Sequence, residues 1–276
     1  MKSKTTNQLK EKYEEKNQDL EDYLEDLLHS KPTNYWDHVQ TVALLNHQIN
    51  ELLFKMIRVE IDQIAKSNAL MAELFTNKLS RISRYFDMLT SSFSIMKDGM
   101  DLEQYPKFRT TLTPASDFQS AQYRNIEFPS TKLINLIDNQ FRDISDRNST
   151  YENALEQLYW HAAGMNYKTG KKSYTLTVFE EKYKDEFIRF AQFYSTNNVY
   201  SKFKELPKEA KENQELITAM RYFDYTVSIK WVMTHYSTTN HYLNIGRKTT
   251  EATGGSEWVK DMHPKYQKRI FFQTYG

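Results

Sequence analysis

The sequence predicts an all-α chain forming a single helical-bundle domain over residues 1–276. Three observations point there. Only 7 Gly and 6 Pro punctuate 276 residues, a scarcity that favours long uninterrupted elements. Apolar residues recur at three and four positions over most of the length, the helical period. No βαβ alternation, no Gly-rich phosphate loop after a strand and no internal repeat interrupts that pattern.

The elements follow in order. A first helix is expected over roughly 7–30, with Tyr13, Leu20, Tyr23, Leu24, Leu27 and Leu28 on one side. Its first residues are almost all polar, so its start is expected to fray. Ser30-Lys31-Pro32-Thr33-Asn34 breaks the pattern, with Thr33 or Asn34 as N-cap. A long helix then runs to about Lys66, its stripe including Leu45, Ile49, Leu52, Leu53, Met56 and Val59. Another covers about 68–97 through Leu70, Leu74, Leu79, Ile82, Phe86, Leu89, Phe93 and Met96, and Gly99 stands as its C-terminal signal. Residues 100–130 read as turns between small helical pieces, closed by Pro129. Helices are expected at about 131–144 and 150–163. The polar stretch Gly164–Ser173, containing Gly170-Lys171-Lys172, reads as a flexible connection. Helices at about 176–197 and 207–245 follow, then the Gly254-Gly255 loop and a final helix through Trp258 and Tyr266.

Composition narrows the function. The chain is 39% hydrophobic and 26% charged, with a mean hydropathy of −0.75. It has no run of about 18 apolar residues, hence no expected membrane span. The positive N-terminus is not followed by an apolar segment, so no signal peptide is expected. There are no cysteines, which excludes disulfides, thiolate metal sites, iron–sulfur clusters and cysteine nucleophiles, and fits a cytoplasmic protein. The net charge of +1, with Lys and Glu alternating along helical faces, suggests neither a nucleic-acid nor a membrane partner. Aromatic residues make up 14%; they serve as core filling or as the lining of a pocket.

Few residues stand out as carriers of chemistry. His47 lies at the margin of an apolar stripe, near Asn50, Glu51 and Phe54, and reads as a hydrogen-bonded boundary residue or as a ligand. His235 follows Trp231 and Val232 on an apolar, aromatic face. It reads as a satisfied core histidine, or as an axial ligand that must stay neutral. Arg124 has Glu127 three residues on, a local acid it can pair with. Its planar guanidinium also suits a bidentate clamp on a carboxylate. Thr253-Gly254-Gly255-Ser256 is a plain loop or one that closes over a polar ligand group.

Taken together, these segments resemble the tryptophan 2,3-dioxygenase family. His47-Gln48-Ile49-Asn50-Glu51-Leu52-Leu53-Phe54-Lys55 is similar to the family's His-Gln-x-x-Glu-Leu-Trp-Phe-Lys helix. The stretch from Thr113-Pro114-Ala115-Ser116-Asp117-Phe118-Gln119-Ser120 through Gln122-Tyr123-Arg124 to Glu127 is similar to its Ser-Pro-Ala-Ser-Gly-Phe-Gln-Ser…Gln-x-Arg-x-x-Glu segment. Trp231 to His235 matches Trp-x-x-x-His, and Ala252 to Ser256 matches Gly-Thr-Gly-Gly-Ser. The resemblance implies the helical fold of the tryptophan and indoleamine dioxygenases and a haem b cofactor. It makes His235 the proximal iron ligand with Trp231 beside the cofactor, and His47 the distal residue near O2 and the indole N–H. It makes Arg124 the carboxylate clamp and Thr253 a substrate contact, with Tyr123 and Phe54 lining the substrate site. The implied reaction inserts O2 across the indole C2–C3 bond of L-tryptophan, or of a related aromatic amino acid, to give an N-formylkynurenine-type product. The implied assembly is a homo-oligomer, dimer or tetramer, with helix 7–30 at the interface.

Four positions depart from the family pattern: Leu53 for a tryptophan, Ala43 for a phenylalanine, Leu20 for a tyrosine and Asp117 for a glycine. They remove aromatic walls from the implied indole site. A wider pocket, a haem-dependent monooxygenase or hydroxylase of an aromatic substrate, and a non-catalytic haem-binding helical protein are the alternatives.

Overall fold

The computed structural model describes residues 35–68, 71–99, 121–142, 150–167, 169–243 and 271–272. The expected helix over 7–30, the caps at Thr33 and Asn34, the turns over 100–120, the Gly254-Gly255 loop with Thr253, and the helix through Trp258 and Tyr266 lie outside the described residues. The chain divides into two compact units, Met1–Val42 and Ala43–Gly276, and the side-chain contacts described below belong to the second.

The long helix after the break is α1, Tyr35–Ala65. Its buried face is not the expected one. Leu53, Phe54, Ile57, Ile61 and Ile64 enter the core, while Ile49 (52%), Leu52 (58%), Met56 (45%) and Val59 (51%) remain exposed. The helix carries two apolar faces, and periodicity alone does not rank them. Charge does: Glu60 on the adjoining rim accepts from Lys78 Nζ at 3.0 Å and from Arg81 Nε at 2.8 Å. That anchors α1 to α2, Ala72–Gly99, on the side of Ile57, Ile61 and Ile64. Helix α2 buries Leu79, Ile82, Phe86, Leu89 and Met96 of the expected stripe and adds Phe75, whereas Leu74, expected in that stripe, stays exposed.

Helix α3, Ala121–Ser130, contains Pro129 rather than ending before it. Proline removes an N–H that would bond the carbonyl four residues back, and here it falls in the last turn. The helix expected over 131–144 is a single 3-10 turn, Leu133–Leu136. Side chains take over the backbone groups a helix would use: Asp138 Oδ1 accepts from Gln140 N at 2.9 Å, and Arg142 Nε donates to the Ile137 carbonyl at 2.9 Å. Such local bonds compete with helix formation. Ile137 pairs with Leu158 in an isolated antiparallel bridge. The bridge splits the helix expected over 150–163 into α4, Tyr151–Glu156, and α5, Tyr159–Ala163.

The stretch read as a flexible connection is a small hairpin, with β1, Met165–Asn166, antiparallel to β2, Lys171–Lys172. Gly170 adopts φ +67° at its turn, a conformation that suits glycine. Helix α6, Tyr174–Tyr194, packs on α3 and α4. Helix α7, Val199–Glu205, follows. The helix expected over 207–245 is interrupted. It consists of α8, Lys208–Lys211, then α9, Gln214–Tyr225, whose N-cap Asn213 accepts from Glu215 N at 2.8 Å and Leu216 N at 3.3 Å. A π-helical segment, Thr226–Lys230, leads into α10, Trp231–Leu243. Helices α9 and α10 lie along α2. Tyr222 Oη and Lys230 Nζ both reach Asp87 on α2, at 2.9 and 2.5 Å.

Candidate functional site

Four of these elements bring their aromatic residues together. Trp231, at the start of α10, packs edge-on against Phe54 of α1 (centroids 5.5 Å apart, planes at 90°) and lies 4.9 Å from Phe93 and 6.5 Å from Phe86 of α2. Tyr123 of α3 adds a fourth wall, 5.8 Å from Phe54 and 6.3 Å from Trp231. Its hydroxyl donates to the Val227 carbonyl at 3.4 Å, inside the π segment. One turn beyond Trp231, the His235 ring stacks on Phe93 (5.5 Å, 22°). Four residues expected at the site, Phe54, Tyr123, Trp231 and His235, therefore meet. Phe86 and Phe93 complete the cluster. In the sequence they looked like ordinary members of the α2 core stripe, and nothing in their spacing distinguished them from the rest of it.

The histidines carry the electrostatic signature. His235 keeps a partly exposed edge, yet burial pushes its pKa down to about 4, and the charges of His47 and Arg124 push the same way. The contacts of Phe54, Tyr123 and Trp231 bring α1, α3 and α10 together in this region. Burial lowers the pKa of His47 as well. Both rings are neutral near pH 7, and among the described residues neither makes a hydrogen bond. A neutral imidazole is the form that binds a metal. Next to His47 and Arg124 in sequence, Asn46 Oδ1 and Asn125 Oδ1 are buried with no hydrogen-bond partner among the described residues, a state that costs roughly 1–3 kcal/mol for each oxygen.

Arg124 is nearly inaccessible at 3% exposure and takes the local partner that the spacing offered. Its Nη1 donates to Glu127 Oε2 at 2.6 Å and also to the Tyr159 hydroxyl. Tyr159 in turn donates to Glu127 Oε1 at 2.5 Å. Burial opposes the charge, but the Tyr159 oxygen, the Glu127 carboxylate and Tyr123 outweigh it and the guanidinium pKa is raised. Tyr159 escaped the sequence reading because a continuous helix over 150–163 gives no reason to aim it at Arg124. Thr253 lies outside the described residues. Leu53, where the resemblance expects tryptophan, is buried in the core. Among the described residues no group of three or more His, Asp or Glu could hold a bare metal ion.

A family profile described as tryptophan 2,3-dioxygenase matches residues 4–157, more than half of the chain. The chain belongs to the tryptophan 2,3-dioxygenase family. The matched segment of this family member contains His47, Phe54, Tyr123, Arg124 and Glu127. A tryptophan 2,3-dioxygenase of Ruegeria sp. (strain TM1040) is 36% identical over 93 residues, 33% of each chain. One of Bradyrhizobium sp. (strain ORS 278) is 33% identical over 109 residues, 38% of each. One of Dictyostelium discoideum is 33% identical over 107 residues, 35% of this chain and 26% of that relative. The alignments thus span about a third of the length of the curated relatives. The family is one of haem-dependent oxygenases, and the all-α architecture agrees with it. No helix among the described residues is long and apolar enough to cross a membrane.

Proposed function

We propose that the protein is a haem-dependent dioxygenase of L-tryptophan or a related indole or aromatic amino acid, inserting both atoms of O2 across the indole C2–C3 bond. The observation that carries this reading is the meeting of Phe54, Tyr123, Trp231 and the His235 ring from three helices, with burial keeping His235 neutral. The donor set fits haem b. His235 offers a neutral ring nitrogen, and Trp231 and Phe93 supply the apolar flank that a macrocycle needs. When bound, haem would supply O2 activation; His235 would hold its iron, and the surrounding side chains would supply a dry pocket and orientation.

The chain's own groups have distinct tasks. His47, held neutral by burial, accepts from the indole N–H and orients the ring without abstracting its proton. Arg124 meets the substrate carboxylate through charge-assisted hydrogen bonds. Phe54 and Tyr123 line the site, and Thr253 contacts the amino-acid end. Leu53 in place of the family tryptophan favours a roomier site, hence a substituted indole. The exposed stripe Ile49, Leu52, Met56 and Val59 supports a homo-oligomer, dimer or tetramer, since a contiguous apolar face marks a contact surface. A cytoplasmic location goes with this reading.

The test is an absorbance spectrum of the purified protein, with and without tryptophan. A Soret band is expected, lost in His235→Ala, and the ferrous protein with tryptophan and O2 is expected to accumulate N-formylkynurenine. A protein that takes up no added haem overturns the reading. Incorporation of a single atom from labelled O2 replaces the dioxygenase with a monooxygenase.

A further inference from the structure

We propose that Tyr159 is a positioning residue, which together with Glu127 braces Arg124 and thereby sets the protein's selectivity for substrates bearing a carboxylate. The inference rests on the reading of Arg124 as the carboxylate clamp.

The brace is a closed ring of bonds between two elements. Helix α3 contributes Arg124 and Glu127, one turn apart, and α5 contributes Tyr159. Each of the two carboxylate oxygens has its own donor: Oε2 takes Arg124 Nη1 at 2.6 Å and Oε1 takes the Tyr159 hydroxyl at 2.5 Å. The same hydroxyl accepts from Arg124 Nη1. A phenol has one proton to give and lone pairs to accept with, so both of its bonds are used consistently. Aromatic faces enclose the cation: the guanidinium carbon lies 5.0 Å from the ring centre of Tyr123, 5.2 Å from Tyr159 and 5.7 Å from Trp160. Glu127 is 1% exposed.

Such a buried pair is a poor device for stability, because desolvating both charges offsets most of their attraction. It is a good device for orientation. A guanidinium bonded to Glu127 and Tyr159 and packed between rings is held in one orientation, and planar, in-register presentation is what carboxylate recognition demands. Tyr159 reaches Arg124 because the Ile137–Leu158 bridge ends α4 and restarts the chain as α5 at Tyr159.

The experiment compares wild type, Tyr159→Phe and Glu127→Gln as haem-loaded proteins. Calorimetry measures binding of L-tryptophan and of tryptamine, which lacks the carboxylate; circular dichroism checks the fold. Tyr159→Phe keeps the ring and loses the two hydrogen bonds. The expected result is tryptophan binding weaker by about tenfold, the scale of one charge-assisted hydrogen bond, with tryptamine affinity unchanged. The turnover counterpart is a raised KM with kcat preserved. Equal effects on both compounds, no effect on either, or failure of both variants to fold makes the ring of bonds purely structural and overturns the proposal. Wild type that binds neither compound overturns the reading of the site itself, a result distinct from selective loss in the variant.

Discussion

At the residue scale, the polar groups inside this protein separate into those that a hydrogen bond ties to the fold and those that make none among the described residues. His161 is of the first kind. It is buried, its Nε2 lies 2.8 Å from Glu180 Oε1, and its Nδ1 has no hydrogen-bond partner among the described residues. Burial lowers its pKa below 6.5, although Glu180 pulls the other way. The unfolded chain protonates this ring near its ordinary value, while the folded chain resists until lower pH. Below about 6.5 the unfolded state binds more protons, so stability falls as pH drops. His161→Gln is expected to remove part of that fall. The urea midpoint should drop less between pH 7.5 and 5.5 in the variant than in wild type, while His47 and His235 titrate equally in both. His47 and His235 are of the second kind, neutral, desolvated and without hydrogen bonds among the described residues. Their place in the sequence marked them; the spacing of Phe86 and Phe93 did not, because a ring on a core stripe looks the same whether it faces another helix or the His235 flank.

At the element scale, irregular backbone decides what the site contains. The π segment Thr226–Lys230 inserts one extra residue into the helical path immediately before Trp231, and such segments concentrate at functional sites. Asp224, just upstream, accepts from Ser228 Oγ at 2.8 Å and from the backbone N–H of Phe271 and Phe272 at 3.1 and 3.4 Å. These bonds hold the helix before the insertion in register, while Trp231 and His235 follow after it. Deleting Ile229, which is partly exposed, restores an ordinary α-helical path and turns α10 by about 100° relative to α9. Far-UV circular dichroism is expected to keep its helical amplitude while the protein loses its Soret band. Retention of haem would show that the insertion does not aim His235. The bridge at Leu158 acts in the same way on α5, aiming Tyr159 and Trp160 at Arg124. Neither interruption carries a Gly or Pro, so neither was legible from punctuation. Each arises from a contact distant in sequence: Ile137 with Leu158, and Asp224 with residues 271–272.

At the scale of the whole molecule, the outer face of α1 bears on the proposed assembly. Ile49, Leu52, Met56 and Val59 lie three or four positions apart and are all exposed. A face of this kind in water favours self-association. Leu52→Glu with Val59→Lys is expected to shift the protein to a smaller species in light scattering, at little cost to the fold, since neither side chain is in the core. An unchanged mass would mean that this face is not the contact. The opposite face of the same helix is held by Glu60 with Lys78 and Arg81 and by the Asp62–Tyr194 hydrogen bond. Those charged contacts leave little freedom in which stripe of α1 turns inward.

Local pattern in the sequence carried the helical class, the presence of α1 and α2, the family and four of the converging residues, Phe54, Tyr123, Trp231 and His235. Each of these depends on local period, on capping chemistry or on short motifs read within one segment. Contacts distant in sequence decided which of the two apolar faces of α1 is buried, where the helices over 131–163 and 207–245 are interrupted, and that Tyr159 joins Glu127 at Arg124. The physical reason is common to all three. Period 3.6 tells a helix that it has an apolar side, but only partners far along the chain, through bridges, ion pairs and buried hydrogen bonds, choose among sides and break a helix where its own residues would let it continue.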